Sequence, residues 1–382
     1  LHELMKILLH SHTFHPAVGG VETISATLAE QLCNLGHQVV VVTETPGDST
    51  RPFCFEVVRR PSIRERWKLA RSVDIIHSNG ASLGMVPYAA MSGVPFAWTH
   101  NGYQVTCVDG LGWNEDGPTP MEPMASFRHH LKRLGLIRGL LQGIKLGARR
   151  LVAKHFAYNI AATKWVANRQ CLPKQLVSYT PYPLDRFAQG AVKIEQRYDF
   201  VFVGRMVNEK GVETLIRAMA ILHGGRELCG ASLALVGDGP LRPQLEDLAA
   251  SLGLKSAVHF LGLLQGEDLI RAICSASIGV VPSVYEEPMG GVALELLASG
   301  RCVIVSERGG MAECVGDAGL CFKNGDPSDL ADKMWLLATD GTLRNHLLER
   351  AKSQMLLFNE TELAKRYVSI YQDIAKVRKH LT

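Results

Sequence analysis

The chain has 382 residues, 47% hydrophobic and 20% charged, with a net charge of +4. Its length exceeds the usual single-core size, so two domains are expected, and the composition excludes a disordered chain. The mild charge gives no argument for nucleic acid, and nine cysteines without a C-x-x-C pair fit reduced thiols in a cytosolic protein better than a disulfide frame or zinc site.

From the start, Leu4 to His10 is too short for a signal peptide's apolar core and reads into a strand, Met5 to Leu9. No run of about 18 apolar residues follows, so no membrane span is expected. After H-S-H-T-F-H-P-A-V, Gly19 and Gly20 lead into a helix, Val21 to Leu35, closed by Gly36, and a strand, Val39 to Thr43. This is a βαβ unit, and ligands of such sheets bind beyond the carboxyl ends of the strands, where the two glycines lie. There is no G-x-G-x-x-G, which sets a dinucleotide oxidoreductase aside. His10, His12 and His15 lack an accompanying Asp, Glu or Cys set and are not read as metal ligands. Further strands are Val57 to Arg59, Val73 to His77 and Pro95 to Thr99. His100, directly after the last, is either a structural histidine or a site residue donating to a sugar hydroxyl or a developing charge. Asn101 to Pro123, rich in Gly, Pro, Asp and Asn and carrying Tyr103 and Trp113, is a long loop, functional or a mobile insertion.

From Pro123 to Leu184 there is no Asp or Glu, while Arg128, Lys132, Arg133, Arg138, Lys145, Arg149, Arg150 and Lys154 are basic. Apolar residues from Phe127 to Leu151 interleave at helical spacing, and Gly135, Gly139, Gly143 and Gly147 permit close approach to another surface. The segment 127–154 is either a patch for a membrane surface or anionic acceptor, or a core helix with a solvated basic face. Strands Ala157 to Ala162 and Leu176 to Tyr179 precede Thr180-Pro181-Tyr182-Pro183, the expected interdomain linker.

A second α/β series begins with the strand Tyr198 to Val203, the loop Gly204 to Gly211 and the helix Val212 to Leu222. Arg205 and Lys210 flank that loop at a strand's carboxyl end, where two cations can neutralise a diphosphate. There follow the strand Ala231 to Val236, the turn Gly237-Asp238-Gly239-Pro240, the helix Leu241 to Leu252, the strand Val258 to Leu261, a loop Gly262 to Gly266 suited to a flat base, and the helix Glu267 to Cys274. Ser277 to Val281 is a buried strand ending at Pro282, and Gly290-Gly291 opens a helix closed by Gly300. Free amides and the positive end of the helix dipole meet there, and the glycines let a phosphate approach the backbone. Glu287 lies on the loop side and Glu295 one to two turns into the helix. Carboxylates accept bonds from sugar hydroxyls, so the pair suits a ligand with phosphates in the middle and sugars at both ends. A solvated helix glutamate and an ordinary glycine loop are the competing reading. Late strands Arg301 to Val305 and Leu320 to Phe322 and helices Pro327 to Leu337, Thr342 to Lys352 and Thr361 to Val377 complete the chain; Cys302, Cys314 and Cys321 are expected to pack as small apolar residues.

Gly19-Gly20-Val21-Glu22, Gly204-Arg205 with Lys210-Gly211, Val236-Gly237-Asp238-Gly239-Pro240, and Pro282-Ser283 with Glu287, seven residues, then Glu295 occur in this order. Over nearly its whole length the chain resembles the retaining family-4 glycosyltransferases of GT-B fold (glycosyl transferases group 1). The resemblance implies an α/β protein with two Rossmann-like parallel-sheet domains facing across a cleft: 1–184 for the acceptor, joined by a C-terminal helix, 357–382, that crosses back to it, and 185–356 for the nucleotide sugar. Arg205, Lys210, Glu287 and His100 are implied as catalytic. Gly20, Gly204, Gly237, Gly290, Gly291 and Glu295 are implied for the donor, and Gly19, Glu22 and Tyr103 for the acceptor. Met289 and Gly291 replace the commoner Phe and Leu or Ile, and Tyr182-Pro183 stands for the usual Asn-Gly of the linker.

The expected activity is transfer, with retention, of a sugar from a nucleotide diphosphate sugar to a glycan, lipid-linked or small-molecule acceptor, with UDP taken on prior alone. No cofactor or metal is expected, since no Asp-x-Asp pair is present. An epimerase or sugar phosphorylase on the same fold and a non-catalytic nucleotide-sugar binder are the rivals. The expected location is cytoplasmic, with peripheral contact to the inner face of an anionic membrane through 127–154.

Overall fold

The computed structural model describes residues 4–17, 19–47, 52–190, 194–225 and 228–379. Its strands in the first half are β1 (Lys6–Ser11), β2 (Gln38–Thr43), β3 (Glu56–Arg59), β4 (Ile75–Asn79), β5 (Phe96–His100), β6 (Trp113–Asn114), β7 (Gly117–Pro118), β8 (Tyr158–Ala161) and β9 (Gln175–Val177). In the second half they are β10 (Tyr198–Val203), β11 (Leu233–Val236), β12 (Val258–Gly262), β13 (Ala276–Val281), β14 (Cys302–Ser306) and β15 (Leu320–Phe322). The chain divides into two units. Unit 1 comprises Leu1–Gly112, Thr119–Pro183 and Phe358–Thr382; unit 2 comprises Trp113–Pro118 and Leu184–Leu357.

Unit 1 is built on a parallel sheet in the order β3-β2-β1-β4-β5-β8-β9. Its central strands are apolar on both faces, as helix-covered parallel strands must be. Ile7, Leu9 and Val41 pack with Leu28 and Leu32 of the helix Gly20–Asn34, whereas Leu8, Ile76, Phe96 and Trp98 pack with Val152 and Ala153 of the helix Leu136–His155. The C-terminal helix Glu360–Lys379 closes the first face. Its Tyr367, Tyr371 and Ile374 join that core, the Tyr371 hydroxyl meets His77 Nδ1 at 2.6 Å, and Thr361 Oγ1 donates to Gln31 Oε1 at 3.0 Å. That satisfied anchoring explains how a helix encoded after unit 2 belongs to unit 1.

Unit 2 carries a six-stranded parallel sheet, β12-β11-β10-β13-β14-β15. Phe200, Phe202 and Ile304 face the helices Val212–Gly224 and Pro327–Thr339 through Leu215, Met219, Leu330 and Met334. Val201, Val303 and Val305 face Ile273, Ala293 and Leu296 of the helices Gly266–Cys274 and Gly291–Ala298. Each sheet changes winding direction beside its first strand, between β1 and β4 in unit 1 and between β10 and β13 in unit 2. At such a switch point the two loops leaving adjacent carboxyl ends diverge to opposite faces and open a crevice.

Four features differ from the sequence reading or add to it. The stretch Asn101 to Pro123 is not irregular throughout, because β6 and β7 form an antiparallel hairpin. The helices Lys164–Gln170 and Gly310–Val315 escaped the sequence reading, both being shorter than the period needed to reveal a face. Cys302 and Cys314 are buried as expected, but Cys321 on the edge strand β15 is exposed. Finally, the basic segment is a core helix only in part, through the buried Leu146, Val152 and Ala153. It forms two helices, Pro123–Leu134 and Leu136–His155, separated by Gly135 at φ +79°, and the apolar residues Leu136, Ile137, Leu140, Leu141, Ile144 and Leu151 are exposed. The glycine spacing serves that hairpin of helices. At Gly139 a Cβ would lie 2.6 Å from Leu131 Cα, and at Gly143 it would strike the Phe127 ring.

Candidate active site

Two loops are laced together at the carboxyl edge of the unit 2 sheet. One, Gly204 to Gly211, leaves β10; the other leaves its neighbour β13 and ends at Gly290. Val284 N donates to the Glu209 carbonyl at 3.0 Å. Gly211 caps the 3₁₀ turn Asn208–Lys210 in the left-handed conformation, φ +66°, and a Cβ there would collide with the Pro282 carbonyl. Gly237, φ +129°, lies as closely against the Gly204 carbonyl. Glycine is required at both places for the loops to approach.

The charges follow from this lacing. Lys210 Nζ meets Glu287 Oε1 at 2.6 Å, and Ser283 Oγ donates to the same oxygen at 2.5 Å. Both partners of the ion pair are largely enclosed, with side chains 19% and 11% exposed. The carboxylate uses one oxygen for both contacts, and the ammonium keeps donors beyond the one it spends on Glu287. Arg205 is 72% exposed and reaches Glu209 only at 3.4 Å, so most of its guanidinium faces solvent. The main chain of Glu287 is fixed as well, its carbonyl accepting from Gly310 N at 2.6 Å.

Gly290 is the N-cap of the helix Gly291–Ala298 and supplies no side-chain cap, leaving the first amides of that helix to other acceptors. Glu295 stands in the second turn. Burial pushes its carboxyl up to about 7, against the pull of Arg186, whose Nη2 is 3.8 Å from Glu295 Oε1. Arg186 escaped the sequence reading; it sits just past the Pro-rich linker in the short helix Asp185–Gln189, where no spacing marks it. A hollow of unit 2 lined by Arg186, Tyr198, Ile270 and Ser275 includes none of Arg205, Lys210, Glu287 or Glu295.

In unit 1, Gly19 is extended and Gly20 is the first residue of its helix, while the Glu22 carboxylate folds back beside Gly19. His100 is the last residue of β5 rather than the one after it, 1% exposed, and its Nε2 meets Asn159 Oδ1 at 2.9 Å. Burial lowers it to about 4, so it is neutral at pH 7. Tyr103 does not offer its ring to an acceptor. It is fully buried with Cys107, Ala161 and Val166, and supports the loop from within. A buried polar ladder was also missed: Ser11 Oγ to Ser25 Oγ at 2.9 Å, Asn79 Nδ2 to Ser25 Oγ at 2.8 Å, and Asn101 Nδ2 to Asn79 Oδ1. Its one sequence signal is polar residues ending the apolar strands β1 and β4. No group of His, Cys, Asp and Glu that could hold a metal ion exists among the described residues.

Fold and site together define a doubly wound α/β protein with two cationic side chains and an uncapped helix N-terminus at a switch point. Residues 18–171 match the family model Glycosyltransferase Family 4, and residues 197–340 match Glycosyl transferases group 1. The chain belongs to these glycosyltransferases, with the GT-B fold of two Rossmann-like parallel-sheet domains. It is 36% identical over 175 residues to an uncharacterized glycosyltransferase of Methanocaldococcus jannaschii, covering 45% of this chain and 44% of that one. It is 34% identical over 190 residues to a D-inositol 3-phosphate glycosyltransferase of Corynebacterium kroppenstedtii, covering 47% and 41%. The chain thus spans less than half the length of these curated relatives. Among solved structures, a glycosyltransferase from Rickettsia africae superposes with a TM-score of 0.71 at 17% identity, covering 98% of this chain and 99% of that one. Anabaena HepE in complex with UDP-glucose does so with 0.71 at 16%, covering 97% and 100%.

Proposed function

We propose that the protein is a retaining, metal-independent glycosyltransferase that moves a sugar from a UDP-sugar to an anionic acceptor, phosphorylated or lipid-linked. The observation that carries this reading is the lacing of the Arg205–Lys210 loop against the Glu287–Gly290 loop beside an uncapped helix N-terminus. In that arrangement the diphosphate lies against Arg205, Lys210 and the amides at Gly290 and Gly291, and Glu295 accepts from the ribose hydroxyls. As the bond between the anomeric carbon and the phosphate oxygen breaks, negative charge grows on the diphosphate and the sugar becomes oxocarbenium-like. Fixed cations and amides stabilise that charge without reorganising. The acceptor hydroxyl forms the new bond on the same face, and its proton passes to the departing phosphate oxygen, so a dedicated base is not needed. Glu287, held by Lys210 and Ser283, orients the sugar and offsets its developing positive charge. Neutral His100 spends its Nε2–H on Asn159 Oδ1, which leaves Nδ1 as an acceptor for a hydroxyl of the substrate held by unit 1.

UDP is favoured by the UDP-glucose bound in HepE. The acceptor class is favoured by relatives named for inositol 3-phosphate and for a diphospho-undecaprenol-linked sugar, and by the absence of any acidic residue between Pro123 and Leu184. The test supplies UDP-sugars with inositol phosphates and polyprenyl-diphosphate sugars, with and without EDTA, and reads the anomeric configuration of the product by NMR. Consumption of donor without acceptor would make the protein an epimerase, and sugar phosphate formed with inorganic phosphate would make it a phosphorylase.

A further inference from the structure

The most unusual surface of unit 1 is the outer side of the helix Leu136–His155. Leu136, Ile137, Leu140, Leu141, Ile144 and Leu151 are 44 to 76% exposed. At about 100° per residue they fall within an arc of ~140°. An apolar stripe this long is too costly to leave in water without an occupant. Exposed cations border it: Arg138 and Lys145 along one flank, Lys154 on the other, with Lys132 and Arg133 at the end of the preceding helix. No carboxylate in the sequence from Pro123 to Leu184 offsets them. The glycines Gly139 and Gly143 turn the opposite side of the helix onto Leu131 and Phe127, which fixes the stripe outward.

We infer that this helix lies in the surface of an anionic lipid bilayer, with the stripe in the acyl boundary and the flanking cations among acidic headgroups. The arrangement has the features of an in-plane amphipathic helix: a broad apolar face, cations at its borders, and enough length to bury several turns. Charge decides for a membrane over a second copy of the chain, because two such faces brought together would set their cations against one another. No helix among the described residues is long and apolar enough to cross a membrane.

The test is flotation of the full chain with vesicles of phosphatidylcholine containing phosphatidylglycerol, against vesicles of phosphatidylcholine alone. The chain is expected to float with the anionic vesicles at low salt, to be released as salt rises, and to stay behind with the neutral ones. The variant Ile137→Asp/Ile144→Asp alters exposed side chains, so the fold should persist by circular dichroism, and its vesicle affinity should fall at least tenfold. Arg138→Glu/Lys145→Glu should lose the preference for anionic vesicles. Failure of the unaltered chain to float at low salt overturns the inference, as does undiminished flotation of Ile137→Asp/Ile144→Asp. Self-association abolished by that variant, without flotation, would give the stripe to a second copy. None of these readings depends on catalytic activity.

Discussion

Trp113 Nε1 donates to Asn208 Oδ1 at 3.1 Å, and the Asn208 amide donates back to the carbonyls of Asn114 and Glu115 at 3.1 and 2.7 Å. One side chain thus ties the β6–β7 hairpin to the turn that carries Lys210. At its stem the hairpin is closed by Asp109, which accepts from Leu111 N, Gly112 N and Thr119 Oγ1 at 2.6 to 2.8 Å.

If the hairpin braces the turn, Asn208→Ala should free it. Each lost hydrogen bond contributes about 1 kcal/mol, so amides at 208 to 211 should exchange some ten- to hundredfold faster while core amides of β10 are unchanged. Trp113→Phe should show a smaller effect of the same kind. Hydrogen exchange read by mass spectrometry decides it, and equal protection in Asn208→Ala and the parent would assign the brace no role.

Lys210 and Arg205 should separate by their burial. Arg205 is largely in solvent, so Arg205→Ala is expected to leave the melting temperature unchanged while lowering turnover about 10²- to 10³-fold. Lys210→Ala removes the partner of an enclosed carboxylate, so turnover should fall similarly and stability by about 1–3 kcal/mol. Thermal melts beside initial rates test the pair, and a destabilised Arg205→Ala would count against the separation.

The two parallel sheets were legible because their strands are short apolar runs bounded by glycine and proline; β10 and β15 begin and end where the apolar pattern does. Most of the charged residues read from the motifs, Arg205, Lys210, Glu287 and Glu295, stand at the β10/β13 switch point or in the helix that follows it. What stayed hidden depends on contacts distant in sequence. Arg186 approaches a glutamate 109 positions later, and Asn208 finds a hairpin 94 and 93 positions earlier. The exposed stripe of Leu136 to Leu151 was visible as a helical period, but periodicity alone does not say which side of an apolar helix is covered.

Gly211 is a strict requirement of the lacing. At φ +66° an L-residue costs roughly 1–2 kcal/mol, and here a Cβ also meets the Pro282 carbonyl. Gly211→Ala should therefore destabilise unit 2 by more than about 2 kcal/mol in urea, whereas Gly253→Ala, at φ +75° with open space around it, should cost only the backbone term. Equal losses would show that the two loops separate readily.

The units should respond to pH in opposite senses. In unit 1, burial lowers His10 and His100 to about 4 and His77 to about 3. The unfolded chain takes up protons near pH 6.5 that these folded sites refuse, so their contribution is present above that pH and is lost as pH falls toward 4, by at most about 3–5 kcal/mol each. In unit 2 the Glu295 carboxyl is raised to about 7, chiefly by burial. Its contribution is full below about pH 4.5 and declines as pH rises through 7, by about 3 kcal/mol at most. Glu295→Gln should flatten the decline between pH 5 and 8 in the unfolding of unit 2 and leave the acid-side loss of unit 1 intact. A ribose held by the ionised carboxylate adds a second readout: UDP should bind more tightly at pH 8 than at pH 6 to the parent, and with a smaller rise to Glu295→Gln, where only the ionisation of the ligand's own phosphate remains. Urea unfolding and UDP titration across that range measure both, and the same rise in UDP affinity in the parent and in Glu295→Gln would remove Glu295 from the ribose.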